Sequence, residues 1–149
     1  MRRPRENMGL FDCDCLGFQT SCLDFQTPML RVHATAQPSL IHGQGLFAHQ
    51  HIKAGETIWA FDPPFDVRYT ENELRNLSPH AQRQVLYYSS FENDCGCYLL
   101  TGDDDRFINH SDTPNATDGG NTITAIRDIL PGEEITLDYR QLGYSFRCK

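Results

Sequence analysis

The stretch Arg106-Phe-Ile-Asn-His-Ser-Asp-Thr-Pro-Asn115 concentrates the chemical information of this 149-residue chain. After Arg106 it has the apolar pair Phe107-Ile108, continues with polar Asn109-His-Ser111, and closes with the turn signal Pro114-Asn115. An apolar entry into a polar cluster, followed by a rigid turn, is typical of a short buried strand. We therefore expect this strand to deliver polar groups into a pocket.

Two further motifs flank that stretch. Gly132-Glu-Glu-Ile-Thr-Leu-Asp-Tyr139 follows it, and Gly43-Gln-Gly-Leu-Phe-Ala48 precedes it, continued by Ile52-Lys-Ala-Gly-Glu56. Taken in this order, the three motifs resemble those of SET-domain protein methyltransferases, whose signatures are Gly-x-Gly-Leu-Phe-Ala, Arg-Phe-x-Asn-His-Ser-x-x-Pro-Asn and Gly-Glu-Glu-Leu-x-x-x-Tyr. The resemblance covers roughly residues 29–140. We therefore expect an irregular N-terminal arm over 1–28 and a SET domain over 29–149, with an insert at about 66–93 and a tail at 140–149.

Length and charge restrict the function. A chain of this length can bury one core and form a single domain. Its formal net charge of -7 argues against unaided binding to nucleic-acid phosphates. The same charge suits a basic protein partner, although it is also explained by solubility alone.

The sequence has no apolar run near the ~18 residues that a transmembrane helix needs. Arg2, Arg3 and Arg5 imitate the start of a signal peptide, but Asp12 and Asp14 interrupt the segment behind them. We therefore expect an intracellular protein, cytoplasmic or nuclear, with no membrane partner.

The six cysteines pose the question of a zinc site. They are Cys13, Cys15, Cys22, Cys95, Cys97 and Cys148. Two Cys-x-Cys pairs with distant single cysteines match no common zinc pattern. Larger SET enzymes carry a C-terminal zinc module with one ligand just after Asn-His-Ser, where this chain has Asp112. The resemblance is thus to a compact form without that module, and we expect reduced thiols and no metal.

The periodicity predicts a mostly β chain with short helices. Strands are expected at residues 29–33, 40–50, 57–61, 95–100, 121–126 and 134–139, with a turn at 35–39. The resemblance adds that the small sheets carry a C-terminal pseudoknot, in which the Asn-His-Ser segment and the last strand cross.

The insert has helical spacing. Thr70 and Glu73 form a capping-box pattern, and apolar residues recur behind it until Ser78-Pro79 divides the segment into two short helices. By resemblance, this insert forms one wall of the substrate groove. After it, Asp103-Asp-Asp105 lacks the ligand pattern of a calcium loop, so we interpret it as a solvated turn.

The resemblance implies methyl transfer from S-adenosylmethionine to the ε-amine of a protein lysine, with S-adenosylhomocysteine as product. The enzyme would be a protein-lysine N-methyltransferase. Its reaction needs a neutral amine, aligned with the methyl group in a channel that excludes water. The implied partner is a basic protein or peptide segment containing lysine, histone-like or ribosomal, and a homodimer is left open.

The resemblance also assigns roles to residues. Tyr139 is the expected catalytic residue, whose hydroxyl orients the amine; the alternative is a core tyrosine that ends a strand. The expected cofactor-binding residues are Gly43, Gln44, Gly45, Arg106, Asn109, His110, Tyr144 and Phe146. The expected substrate-channel residues are Tyr88, Tyr98 and Leu137.

Each of these assignments has a structural alternative. The absence of Cβ atoms at Gly43 and Gly45 would let backbone approach the cofactor, yet a plain strand bulge would also use glycine. His110 would equally serve as a packed histidine with one hydrogen bond. Leu137 offers no hydroxyl to hold a water, which predicts that more than one methyl group is added.

Two other classes of function make different demands on the sequence. A non-catalytic relative that binds peptides in the same groove would be expected to lose Asn109, His110 or Tyr139, and the sequence retains all three. A metal hydrolase would use the chain's histidines, but no His-x-x-x-His pair is present.

Overall fold

The computed structural model describes residues 29–63, 65–93 and 95–140. The expectations for the N-terminal arm and for Tyr144 and Phe146 lie outside these residues. The strands are β1 (Ala34–Pro38), β2 (Gln44–Ala48), β3 (Thr57–Ala60), β4 (Val67–Thr70), β5 (Ser90–Glu92), β6 (Cys97–Leu100), β7 (Asn109–His110), β8 (Ala116–Asp118), β9 (Thr122–Ala125) and β10 (Glu134–Leu137). The helices are α1 (Glu71–Asn76), α2 (Pro79–Tyr88) and a 3-10 turn at Asp104–Phe107.

The described strands form three small sheets. Their orders are β1-β2-β10-β7, β3-β9-β8 and β4-β6-β5. The core is aliphatic around one indole, with fully buried side chains at Leu46, Ile52, Ile58, Ile129 and Ile135 beside Trp59. The mostly β prediction is confirmed, and none of the described helices is long and apolar enough to cross a membrane.

Strand β10 organises the first sheet. It pairs antiparallel with β2 and parallel with β7, where Thr136 lies opposite Asn109 and Leu137 opposite His110. Parallel neighbours need a long connection, and here it contains β8 and β9. The Asn-His segment and the last strand are thereby held side by side, which is the arrangement that the expected crossing requires.

The first strand lies later than the sequence pattern predicted. Residues 29–33 make one bridge, Leu30 to Trp59, and the strand itself is Ala34–Pro38, where we expected a turn. Its five residues all pair with β2, from Ala34 opposite Ala48 to Pro38 opposite Gln44. A proline is tolerated at the end of an edge strand because its missing N–H costs no ladder bond there.

The insert folds from local signals. Thr70 caps α1 in a complete capping box with Glu73, and Ser78 caps α2 with Pro79 in its first turn. The predicted division into two helices is confirmed. Strands β4, β6 and β5 form an antiparallel sheet, in which β4 contacts α1 and β6 contacts α2.

The interpretation of residues 103–105 as a solvated turn is wrong. Asp103 accepts the Leu30 N–H at 2.8 Å and Asp104 accepts the Ala36 N–H at 3.1 Å, while Asp105 is only 8% exposed. Carboxylates that satisfy otherwise unpaired backbone donors connect distant segments. This acidic run therefore ties the end of β6 to the segment that contains β1.

Candidate functional site

A cavity of about 420 Å³ opens where the first sheet meets the loop before β2. Its described lining is Ile41, His42, Asn109, His110 and Tyr139. The loop provides the first two residues, β7 the next two, and the chain just beyond β10 the last. Three residues that the sequence placed in one site thus meet in one cavity, whose size is typical of a small-molecule site.

Asn109 fixes the loop to the sheet. Its side-chain amide donates to the carbonyl oxygens of His42 (3.1 Å) and Gln44 (3.0 Å) and to Oε1 of Glu134 (2.8 Å). The Glu134 carboxylate also accepts the hydroxyl of Ser39, at 2.8 and 2.9 Å. The sequence interpretation missed Ser39 and Glu134, although Glu134 belongs to a motif that was recognised.

Gly45 is required by this carboxylate. A Cβ atom at Gly45 would overlap Oε1 of Glu134, and would lie 2.6 Å from its Cδ and 3.0 Å from the Cβ of Ser39. Gly43 has a different reason to be glycine, because its φ of +48° lies in the left-handed region. The structure therefore gives both glycines a local role that does not depend on a cofactor.

His110 and Tyr139 are linked through the backbone. The Tyr139 N–H donates to Nδ1 of His110 at 3.2 Å, and the ring centres are 5.5 Å apart. Because Nδ1 accepts this bond, a neutral imidazole carries its proton on Nε2, which lies 3.5 Å from Asp112 Oδ1. This hydrogen bond fixes the ring where it lines the cavity.

The Tyr139 hydroxyl donates to the carbonyl oxygen of Ile108. Burial raises the pKa of Tyr139, so the phenol stays protonated at neutral pH. Its ring packs against the hydrophobic core while its face lines the cavity. At neutral pH this group can orient and polarise a ligand, and it is a poor proton acceptor.

Arg140 joins two acidic residues next to the cavity. Its guanidinium lies 2.8 Å from Asp138 Oδ1 and 3.0 Å from Asp112 Oδ1. The Arg140 hydrogen bond holds the pKa of Asp138 below its usual range. Asp138 also accepts the Arg140 N–H at 3.0 Å, so it fixes the turn that follows Tyr139.

Asn115, at the end of the opening signature, is a structural residue that the sequence showed only as a turn signal. Its side chain is 1% exposed; Oδ1 accepts the Thr136 N–H and Nδ2 donates to the Glu134 carbonyl, both at 2.8 Å. Nδ2 also reaches Glu133, the carboxylate whose pKa is lowered chiefly by Arg127. The amide thus pairs with β10 as a neighbouring strand would.

The remaining predicted site residues lie around this cavity or away from it. Arg106 has its guanidinium 5.5 Å from the Tyr88 ring centre, and Tyr98 packs against Phe91 at 5.0 Å. Leu137 is buried opposite His110. None of these side chains is among the described residues that line the cavity, and their proposed roles stay predictions.

Metal ligands do not cluster in the part of the chain that the structure describes. No group of three or more His, Cys, Asp or Glu side chains there has the arrangement to hold an ion. Cys95 is an exposed free thiol and Cys97 a buried one. The other four cysteines lie outside the described residues.

Comparison with known protein families identifies the family of this chain. A model described as the SET domain covers residues 43–140. Human histone-lysine N-methyltransferase 2B is 32% identical over 122 residues, which are 68% of this chain and 4% of that protein. The H3 lysine-4 specific histone-lysine N-methyltransferase of Aspergillus oryzae is 34% identical over 119 residues, 68% of this chain and 9% of that one. The chain thus spans a small part of the length of these relatives.

Solved structures agree on the fold. The Neurospora SET domain protein DIM-5, a histone lysine methyltransferase, superimposes with a TM-score of 0.50 at 24% identity, over 74% of this chain and 53% of that one. A humanized mutant of the Chaetomium thermophilum Polycomb Repressive Complex 2 gives 0.52 at 21% identity, over 75% and 15%. At such identities the likeness extends to the fold alone.

Proposed function

The chain belongs to the SET-domain family, and from this premise we propose that it is a protein-lysine N-methyltransferase that uses S-adenosylmethionine. One observation carries the proposal: Asn109 and His110 from one motif and Tyr139 from another line one cavity. The size of the cavity, its mixed apolar and polar lining and the half-buried phenol of Tyr139 fit a cofactor with an organic cation beside a purine.

When bound, S-adenosylmethionine supplies a methyl group already activated by the sulfonium, so no nucleophilic side chain is needed. The protein has to hold the cofactor, align its methyl group with the amine, and exclude water. We assign cofactor holding to the loop before β2 and to β7. We assign amine orientation to Tyr139, whose oxygen is fixed because its proton is engaged by the Ile108 carbonyl.

The substrate amine must be neutral, and a free lysine has a pKa of about 10.4. Tyr139 does not take this proton at neutral pH, because burial raises its pKa. The proton therefore leaves to solvent before transfer, helped by desolvation of the amine in the channel.

For the substrate we propose a basic protein segment, with a histone tail as the first candidate and ribosomal tails as the second. The support is the formal net charge of -7, which attracts basic chains, and the similarity to the H3 lysine-4 specific enzyme of Aspergillus oryzae. Such a substrate places the activity inside the cell. Leu137 further leads us to expect more than one methyl group per lysine.

The proposal is tested with labelled S-adenosylmethionine and a panel of histones and ribosomal proteins. We expect the wild type to methylate lysine and Tyr139→Phe to lose roughly 10²–10³-fold in turnover. Thr117→Val, at an exposed position of β8 outside both the insert and the described cavity lining, is the control and should keep full activity. Mass spectrometry of the product counts the methyl groups.

Cofactor binding separates the alternatives. S-adenosylmethionine should raise the thermal midpoint of the wild type, since a ligand that binds only the native state stabilises it. A midpoint shift without transfer to any basic protein would favour a peptide-binding module. Absence of any shift would remove the cofactor assignment itself.

A further inference from the structure

The loop at residues 39–43 forms one side of the cavity and exposes apolar side chains. Leu40 is fully exposed and Ile41 is 50% exposed, and Ile41 also lines the cavity. The loop is closed by its own backbone bond, from the Ser39 N–H to the Gly43 carbonyl at 2.9 Å. This bond continues the β1–β2 ladder and closes the base of the loop, so the position of its tip, residues 40–42, depends on other contacts.

Ser39 supplies the first of these contacts. Its hydroxyl oxygen accepts the Ile41 N–H at 2.9 Å, and its proton is donated to the carboxylate of Glu134. The bond joins the cavity-lining part of the loop to the first residue of β10. It crosses 95 positions of sequence, and hydrogen bonds to charged groups are among the stronger ones.

Asn109 supplies the second contact from the opposite side. Its amide holds the His42 and Gln44 carbonyls, which flank Gly43, and it donates to the same Glu134 Oε1. The carboxylate is thus the point at which the loop, β7 and β10 are joined. A Cβ atom at Gly45 would displace this carboxylate from its present position.

We infer that Ser39 and Glu134 are positioning residues for the cofactor. They hold the loop that contributes Ile41 to the cavity at a fixed position relative to β7, which also lines it. The inference rests on the proposed function, which it extends to two residues outside the described cavity lining. If the hydroxyl is removed, the loop samples other positions, and the apparent affinity falls with the fraction of molecules in the competent position.

The effect is confined to binding. The Tyr139 end of the cavity is held separately, through His110 and the Ile108 carbonyl. At saturating cofactor the loop is driven into its competent position, so the alignment at Tyr139 recovers. The variant should therefore raise KM for the cofactor and leave kcat nearly unchanged.

The test is Ser39→Ala, measured by calorimetric titration with S-adenosylmethionine and by steady-state kinetics. We expect Kd and KM to rise roughly tenfold, as for loss of a charge-assisted hydrogen bond, with kcat within about twofold of wild type. Ser78→Ala is the control: it removes the α2 cap, lowers stability and touches nothing at the cavity. Its Kd should stay at the wild-type value.

A double-mutant cycle with Glu134→Met, which removes the acceptor at similar side-chain length, tests the route of the effect. If Ser39 acts through Glu134, Ser39→Ala should weaken binding by less than about twofold when added to Glu134→Met. The inference would be overturned if Ser39→Ala left Kd unchanged or lowered kcat and affinity in parallel. It would also be overturned if Ser78→Ala weakened binding equally, or if the effects in the cycle were additive. The proposed function would stand in each of these cases. A wild type that fails to bind S-adenosylmethionine would overturn both.

Discussion

Two regions of this molecule are built in opposite ways. In the two helices of the insert, side-chain bonds join near neighbours: Thr70 with Glu73, and Ser78 with Ala81. In the sheet that carries the cavity, they join residues far apart in sequence, with separations of 67 positions for Asn109 to His42 and 95 for Ser39 to Glu134. These helices are therefore specified locally, and the site only by the complete fold.

The contrast has an energetic consequence. A local cap can form in a fragment, and its loss costs one helix end. A bond that joins separate segments forms only when all of them have folded, and its loss leaves buried polar groups without partners. Substitutions of similar chemistry should therefore cost more near the cavity than in the insert.

Asn115→Ala provides the largest expected effect on stability. The side chain is 1% exposed and makes hydrogen bonds to Thr136 and Glu134 that lie inside the fold. Its truncation leaves a buried N–H and a buried carbonyl unpaired and opens space, so we expect a loss of about 3 kcal/mol. Urea unfolding followed by circular dichroism measures it.

The matched control is Asn121→Ala. Asn121 is exposed, and its side chain accepts one bond from Arg68 at 2.8 Å. Its truncation should cost less than about 1 kcal/mol. Equal losses in the two variants would show that burial of the amide does not set the cost of removing it.

The insert could be predicted from sequence because its signals are local. The capping box at Thr70 and the break at Ser78-Pro79 each act over three or four residues, and both are confirmed. The strands expected at 57–61, 121–126 and 134–139 are confirmed with slightly shorter bounds.

The site could be predicted only through its motifs. These identified Asn109, His110 and Tyr139, but they did not identify Ile41 and His42, which also line the cavity, and they gave no sign of Ser39. Strand β1 was missed because its pairing with β2, and not its own periodicity, makes it a strand. The acidic run at 103–105 was misjudged because three adjacent carboxylates favour solvent unless distant backbone donors meet them.

The acidic run at 103–105 connects the end of β6 to the segment that contains β1, and Asp105 makes this connection sensitive to pH. Burial, followed by its hydrogen bond with Asp103, raises the pKa of Asp105 to about 9. An unfolded Asp has a pKa of about 3.9. Between these values the folded protein binds one proton more than the unfolded chain, so the contribution of Asp105 to stability falls as pH rises.

Asp105→Asn removes this dependence, because an amide resembles the protonated acid and does not titrate. The stability of the variant minus that of the wild type should therefore grow by up to about 1 kcal/mol per pH unit from pH 5.5 to pH 8. Urea unfolding at several pH values gives the difference. A constant difference across this range would show that Asp105 is already ionised in the folded protein.

Thr70→Ala, in the insert, has the smallest expected effect on stability of the changes predicted for the two regions. The Thr70 hydroxyl accepts the Glu73 N–H at 3.3 Å and donates to its carboxylate at 2.7 Å, all at the exposed start of α1. Loss of such a cap costs about 1 kcal/mol. Because these bonds reach only three residues along the chain, Thr70→Ala should leave the cofactor affinity, measured by calorimetric titration, unchanged. A weakened affinity would mean that the insert and the cavity are coupled through the acidic run at 103–105.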